Sequence, residues 1–233
     1  MRKLFTLLML ACTMSVSAQN IQLHYDFGRN FYSDQESERP KVTMTIEQFK
    51  PDQWGSWFYF VDVDFSNHFV EGAYTEVSRE LNLKKDSPFA LHVEYNGGLT
   101  RTYAYQQAGL LGAAYNGHSA DFLKTWSVQL MYKQYFSNKD IHSYASAQLT
   151  GVWGLNFLNN KLRFSGFIDF WRGENATTGH GMLVMLTEPQ LWYNITDHLA
   201  VGTEIEVSNN FISNFYDGKT FFVNPTIGVK WNM

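Results

Sequence analysis

The segment Trp57-Phe58-Tyr59-Phe60-Val61-Asp62-Val63-Asp64-Phe65 has two different faces when it is read with a period of two residues. The odd positions carry only apolar and aromatic side chains, whereas the even positions carry Phe58, Phe60 and two aspartates. Successive side chains of a β-strand point to opposite sides of the sheet. This segment is therefore predicted to be a strand with one apolar face and one face that mixes aromatic rings with carboxylates.

The same alternation recurs from Asn20 to the end of the chain. It predicts about twelve strands, near 20–28, 41–50, 55–66, 72–83, 88–97, 106–115, 123–135, 143–154, 162–172, 182–194, 199–209 and 219–232. These lengths suit tilted membrane strands, which need about 9 to 11 residues to cross the hydrocarbon layer. The connections alternate between short turns, near 51–54, 84–87, 159–161 and 196–198, and longer loops, near 29–40, 67–71, 98–105, 173–181 and 210–218.

The composition favours a membrane barrel over a water-soluble one. Aromatic residues make up 17% of the chain and charged residues also 17%, while the mean hydropathy is −0.28. A membrane barrel turns apolar side chains towards lipid, encloses polar ones, and places aromatic residues in belts at both interfaces. The predicted fold class is all-β, a single transmembrane antiparallel β-barrel domain of about twelve strands over residues 19–233.

The N-terminus has the pattern of a secretory signal peptide. Met1-Arg2-Lys3 precedes an apolar run over residues 4–11, and the small residues Val16-Ser17-Ala18 form a cleavage pattern. We predict a signal peptide over residues 1–18 and the outer membrane of a Gram-negative bacterium as the location. The chain ends Trp231-Asn232-Met233, and this final amphipathic strand with an aromatic residue near its end resembles the C-terminal signal of outer-membrane proteins, although the last residue is Met233 and not the usual Phe. An alternative use of Cys12 is as a lipid-acceptor cysteine.

The sequence lacks the motifs that are typical of nucleic-acid binding, metal binding and catalysis. Lys and Arg number 18 against 22 Asp and Glu, so there is no basic footprint for nucleic acid. The histidines show no paired-ligand spacing, and no nucleophile elbow or phosphate-binding glycine loop is present. We therefore expect no metal, no cofactor, no nucleic-acid partner and no enzymatic activity. An outer-membrane acyl hydrolase stays open as an alternative, because His92, His142 and many serines are available.

The polar face of the predicted strands has a definite chemistry. Aromatic rings share it with carboxylates, and rings with hydrogen-bonding groups between them suit a flat polar solute such as a nucleoside. The spacing of Asp62 and Asp64, and of Glu204 and Glu206, puts each pair on one face, as the wall of a charged lumen requires. The candidate substrate-binding residues are Glu47, Phe58, Phe60, Asp62, Asp64, Tyr74, Glu76, His92, Glu94, Arg163, Asp169 and Trp171.

Three stretches of the chain, residues 44–49, 57–62 and 74–79, resemble the N-terminal third of the Tsx-type nucleoside-specific channel family. The resemblance is carried by Glu47, Trp57, Phe58, Asp62, Glu76 and Arg79. It implies a monomeric twelve-stranded barrel whose narrow lumen passes nucleosides. The alternation places Arg79 on the apolar, outward face of its strand.

These observations predict passive, selective diffusion of a small hydrophilic solute through a barrel that sits in a lipid bilayer. The alternative is a non-conducting barrel, with a lumen plugged by its own side chains, that acts through its loops as a receptor or structural protein.

Overall fold

The computed structural model describes residues 20–66, 69–85, 87–139, 141–175, 178–211 and 220–233. The predicted signal peptide, including Cys12, and most of the predicted loop 210–218 lie outside the described residues.

The described residues form one antiparallel sheet that closes on itself. Strand β13 pairs with both β12 and β1, and every other neighbouring pair is also antiparallel. The elements are β1 (Asn20–Asp26), the short helix α1 (Gly28–Phe31), β2 (Val42–Asp52), β3 (Gly55–Ser66), β4 (Phe69–Asn82), β5 (Phe89–Thr100), β6 (Ala108–His118), β7 (Lys124–Tyr135), β8 (Tyr144–Phe157), β9 (Leu162–Glu174), β10 (Gly181–Thr187), β11 (Gln190–Asn194), β12 (Leu199–Asn209) and β13 (Phe221–Asn232).

Strands β10 and β11 are two halves of one barrel strand, because both pair with β9 and with β12. The break falls at Glu188-Pro189, where proline has no N–H to donate to the ladder. The barrel is therefore a closed 12-strand antiparallel barrel, and the predicted fold class is confirmed. The sequence predicted an uninterrupted strand over 182–194, and the structure corrects that point.

The two ends of the barrel differ. Short connections, such as those between β2 and β3 and between β8 and β9, lie at one end, together with Asn20 and Met233. We call this the turn end. The longer connections, such as residues 27–41 between β1 and β2, lie at the opposite end, which we call the loop end. The longer loop predicted near 67–71 is shorter than expected, because β4 already begins at Phe69.

The apolar face of the strands points out of the barrel. On β5, Leu91 and Val93 are 39% and 43% exposed, whereas His92 between them is 2% exposed. Trp57 is also exposed on the outside, and the Arg79 guanidinium lies 5.0 Å from its ring centroid. Arg79 also pairs with Asp52 at the turn end, so it lies outside the lumen, as the alternation predicts.

Among the described residues, no helix is long and apolar enough to span a membrane.

Candidate functional site

A row of aromatic rings runs along the inner wall formed by β3 and β4. Ring centroids are 6.1 Å apart for Phe58 and Phe60, and 6.1 Å apart for Phe60 and Tyr74. The row continues from Tyr74 to Tyr105 at 5.9 Å and from Tyr105 to Tyr103 at 5.5 Å. We call Phe58, Phe60, Tyr74, Tyr105 and Tyr103 the aromatic ladder. The aromatic ladder extends from Phe58, in the half of the lumen nearer the turn end, to the loop end.

Carboxylates flank the ladder on both sides. Phe60 is in register with Glu47 on β2 and with Glu76 on β4, so an acidic side chain lies on each side of its ring. The Tyr74 hydroxyl donates to Glu76 over 2.8 Å. All four of these side chains are half-buried, so they are accessible from the lumen.

Threonine hydroxyls hold the two aspartates of this wall in place. Thr45 donates to Asp62 over 2.5 Å, and Thr43 donates to Asp64 over 2.7 Å. Each bond uses one carboxylate oxygen, so the second oxygen of each aspartate is available to a solute. The predicted face of Glu47, Asp62, Asp64, Tyr74 and Glu76 is therefore assembled in the structure.

The wall formed by β12, which β13 and β1 separate from β2, is also acidic. Glu204 on β12 accepts a hydrogen bond from Gln190 over 2.5 Å. Its carboxylate also interacts electrostatically with Asp62 and Glu47 of the aromatic wall.

His92 is the centre of a polar network on β5. Its ring lies between Glu80 at 3.4 Å and Glu94 at 3.0 Å. Asn116 and Gln129 also donate hydrogen bonds to the carboxylate of Glu80. His92 therefore fixes two carboxylates against the wall, and the structure places it and Glu94 beside each other as a structural pair.

The two histidines named for the hydrolase alternative lie next to glutamates. His142 lies 2.9 Å from Glu174, and His92 is held by its two glutamates. Within the described ranges, neither histidine has a hydrogen bond to a serine.

Trp171 and Asp169 face inward, and Trp171 is largely covered whereas Asp169 is half-buried. Trp171 is 9% exposed, and the Lys133 ammonium lies 4.7 Å from its ring centroid. Lys133 donates to Gln148 over 2.7 Å, and Asp169 accepts from Thr150. Sequence reasoning missed Lys133, although the alternation of Leu130 and Tyr132 puts it on the inner face. The cluster around Trp171 is apolar: Ala108, Leu110, Met131, Tyr135 and Val184.

The remaining predicted site residue, Arg163, lies apart from the ladder near the turn end. Its guanidinium donates to Asn156 over 3.3 Å. A similar inner-wall cation is Lys230, whose ammonium lies 4.0 Å from the centroid of Trp192. Lys230 is buried against this ring, whereas Arg163 is exposed near the turn end.

The connection between β1 and β2, residues 27–41, folds against the inner wall at the loop end. The Tyr32 ring contacts Phe222 of β13 at 5.1 Å, and Asn224 donates to Glu36 over 2.9 Å. Arg39 donates to Asp26 over 2.9 Å and to Glu206. We call residues 27–41 the inner loop. The sequence predicted a longer loop near 29–40 but not its contacts with the inner wall, because the partner residues are far away in the chain and carry no local signal.

Charge holds the inner loop in place. Burial alone lowers the pKa of Arg39, but the carboxylates of Glu206 and Asp26 outweigh it and raise this pKa above the ordinary value. Arg39 is therefore charged at every physiological pH. Burial raises the pKa of Glu36, against the opposing effect of Arg39.

Within the described part of the chain, no group of three or more His, Cys, Asp and Glu side chains is arranged to hold a metal ion.

A closed barrel with an apolar outside and a polar, carboxylate-lined inside has the architecture of a transmembrane β-barrel. The chain belongs to the family described as "Domain of unknown function (DUF5020)", whose model matches residues 18–233. No match was found among the curated proteins.

Solved structures of porins share the fold. The NanC porin aligns with a TM-score of 0.60 and 12% identity, covering 92% of this chain and 99% of that one. The KdgM porin in complex with disordered oligogalacturonate aligns with a TM-score of 0.52 and 12% identity, covering 92% and 98% of the two chains. The barrel implied by the Tsx resemblance is confirmed, whereas membership of the Tsx-type family is not shown by these comparisons.

Proposed function

We propose that this protein is an outer-membrane channel for the selective, passive diffusion of small hydrophilic solutes, with nucleosides as the leading candidates. The observation that carries the proposal is the aromatic ladder with carboxylates on both sides of Phe60. A base stacks on an aromatic ring, and the hydroxyls of the attached sugar donate to carboxylates. Conduction requires binding that is divided over several weak sites. The rings and carboxylates repeated along this wall offer a solute such a series of sites.

The charge of the lumen narrows the class of solute. Its half-buried carboxylates include Glu47, Asp62, Glu76 and Glu204, whereas Lys133 and Lys230 are buried against rings. Oligogalacturonate, the ligand named for the KdgM structure, carries a carboxylate on each sugar unit. An acidic lumen repels such a chain, since like charges in a narrow site cost free energy. The solute is therefore neutral or cationic.

A second function is supported by the inner loop. Arg39 fixes this loop to β12 through Glu206 with bonds of 3.2 and 3.0 Å. A lumen obstructed by this loop would not conduct, and the protein would then act through its loops as a receptor or structural protein.

Liposome swelling and planar-bilayer recording on the purified, refolded protein distinguish the two functions. For a channel, we expect nucleosides to cause faster swelling than neutral disaccharides of similar size, and galacturonate oligomers to cause the slowest. Nucleosides should also produce concentration-dependent interruptions of the current. An intact barrel with no conductance and no swelling would overturn the channel and leave the receptor.

A further inference from the structure

Three oxygen atoms converge beside Gly28, in the first turn of the inner loop. A Cβ built on Gly28 would lie 2.6 Å from Glu36 Oε2, 2.7 Å from Asn224 Oδ1 and 2.9 Å from Asp26 Oδ1. Only glycine leaves room for this convergence, because any side chain would collide with all three atoms. The three residues come from β1, the inner loop and β13, so the chain brings them together only on folding.

Two of these oxygens are buried without a hydrogen-bond partner among the described residues. They are Glu36 Oε2 and Asn224 Oδ1, in residues that are 4% and 0% exposed. The third, Asp26 Oδ1, accepts only the Gly28 N–H, over 2.6 Å. An unpaired buried oxygen costs about 1–3 kcal/mol, so a ligand that contacts both oxygens would be stabilised here.

The orientation of the Asn224 amide is fixed by its other end. Its Nδ2 group donates to Glu36 over 2.9 Å and to Glu206 over 3.1 Å. Both bonds need the nitrogen on that side, since carboxylates only accept. These two hydrogen bonds fix the orientation of the amide, so Asn224 Oδ1 lies on the side of Gly28, where Glu36 Oε2 and Asp26 Oδ1 also lie.

Arg39 does not neutralise this group. It contacts Asp26 through Oδ2 at 2.9 Å, Glu36 through Oε1 at 4.0 Å, and Glu206. It uses the oxygens on the far side from Gly28 and faces three carboxylates with one guanidinium. Three carboxylates and one guanidinium leave two negative charges without a cationic partner in this cluster.

We propose that Glu36, Asn224 and Asp26 bind a Ca²⁺ ion at the loop end of the barrel. Carboxylate and amide oxygens are the ligands that Ca²⁺ prefers, at about 2.3–2.6 Å, and water completes a coordination shell of about 6–8 oxygens. A divalent ion also cancels the two uncompensated charges. Mg²⁺ fits less well, because it demands near-octahedral geometry that three converging oxygens beside a backbone do not offer.

The ion would connect the inner loop to β1 and β13, next to the Arg39 ion pairs. Its effect is to hold the inner loop against the wall. This inference does not depend on the proposed channel function, since the site exists whether or not the lumen conducts.

Calorimetric titration of the full-length, refolded barrel tests the site after treatment with EDTA. CaCl₂ should bind at one site with a Kd of about 10⁻⁴–10⁻³ M, the range of sites in extracellular modules, and MgCl₂ should bind more weakly. The thermal unfolding temperature of the wild-type barrel should rise with CaCl₂ and fall again with EDTA. If the wild-type protein shows neither heat of binding nor a shift, Glu36 holds a proton instead and the proposal is wrong.

Three variants locate the ion. Glu36→Gln keeps the size of the side chain and should weaken the Kd for Ca²⁺ at least about tenfold, a loss of about 1.4 kcal/mol. Glu38→Gln removes an exposed carboxylate two positions away and should leave the Kd unchanged. Glu204→Gln removes a lumen carboxylate and should also leave it unchanged. Binding that is lost in Glu204→Gln and kept in Glu36→Gln would place the ion in the lumen and overturn the assignment.

Discussion

Arg39 of the inner loop and Glu206 of β12 form a two-bond ion pair, with Nη1 3.2 Å and Nη2 3.0 Å from the two carboxylate oxygens. The residues are 167 positions apart in the chain, so the pair forms only when the barrel has closed. It is partly shielded from water, with the two side chains 20% and 12% exposed. Together with the Asn224–Glu36 hydrogen bond and the Tyr32–Phe222 ring contact, this ion pair holds the inner loop against the wall.

A double-mutant cycle should measure that contact. Arg39→Gln, Glu206→Gln and the double variant should give a coupling free energy of about 0.5–3 kcal/mol in urea unfolding. Arg39→Gln should also raise the single-channel conductance, because the inner loop is released from β12. Arg101→Gln is the control, since its pair with Glu71 is exposed and 3.9 Å long. Additive effects of the two substitutions would show that the ion pair does not fix the loop.

The acidic lumen should select for cations. In a KCl gradient across a planar bilayer, we expect the reversal potential of the wild-type channel to favour K⁺, as in pores lined by rings of carboxylates. Glu204→Gln combined with Asp62→Asn should move this potential towards zero. Asp121→Asn, in the exposed turn between β6 and β7, should not change it. A wild-type preference for Cl⁻ would contradict the assignment of the lumen charge.

The ladder makes a separate prediction about solutes with rings. Phe60→Leu and Tyr74→Leu should each remove one stacking contact worth about 0.5–1.5 kcal/mol and weaken nucleoside-dependent current block about 2- to 12-fold. Phe157→Leu removes an exposed ring from the outside of β8 and serves as the control. Equal block in all three variants would mean that the ladder does not contact the solute.

The strands and the direction of their two faces could be predicted from local sequence, because an alternation with a period of two involves only neighbouring residues. The alternation around Trp57 and Leu91 therefore predicted both the strands and the outward direction of their apolar sides. The same alternation predicted that Phe60 and Asp62 share the inner face. The closure of the sheet into a barrel was predicted less directly, from the number of segments and from the alternating lengths of their connections.

Contacts between distant parts of the chain could not be predicted in this way. The inner loop depends on Arg39 meeting Glu206 and on Glu36 meeting Asn224, and neither pair leaves a local pattern. The covering of Trp171 by Lys133 likewise depends on the register of β7, β8 and β9. The sequence shows a proline at position 189, which can interrupt a strand. Only the pairing of β11 with both β9 and β12 shows that the strand continues beyond this proline.

Gly202 on β12 should be needed for the seating of Trp192 on the inner wall. A Cβ at Gly202 would lie 2.3 Å from Leu191 O and 2.6 Å from Trp192 Cε3. Gly202→Ala should therefore reduce the free energy of unfolding by about 1–3 kcal/mol, the usual cost of overpacking. Gly151→Ala is the matched control, since its Cβ would meet only Ile168 Cγ2, at 3.3 Å. Urea unfolding followed by tryptophan fluorescence gives both values, and equal midpoints would show that Trp192 can move aside without cost.

The outward face of β7 gives the most direct test of membrane insertion. Leu130 is 65% exposed on that face, near the middle of the strand. A lipid-facing arginine near the bilayer midplane costs about 2–4 kcal/mol, so Leu130→Arg should lower the folding free energy in lipid vesicles by that amount. Ser127→Arg places the same charge on the inner face of the same strand, where water and carboxylates solvate it, and should cost much less. Folding yield into vesicles, read from the heat-dependent shift in gel mobility, compares the two variants. If they fold equally well, lipid does not surround the barrel at Leu130 and the membrane assignment of this face is wrong.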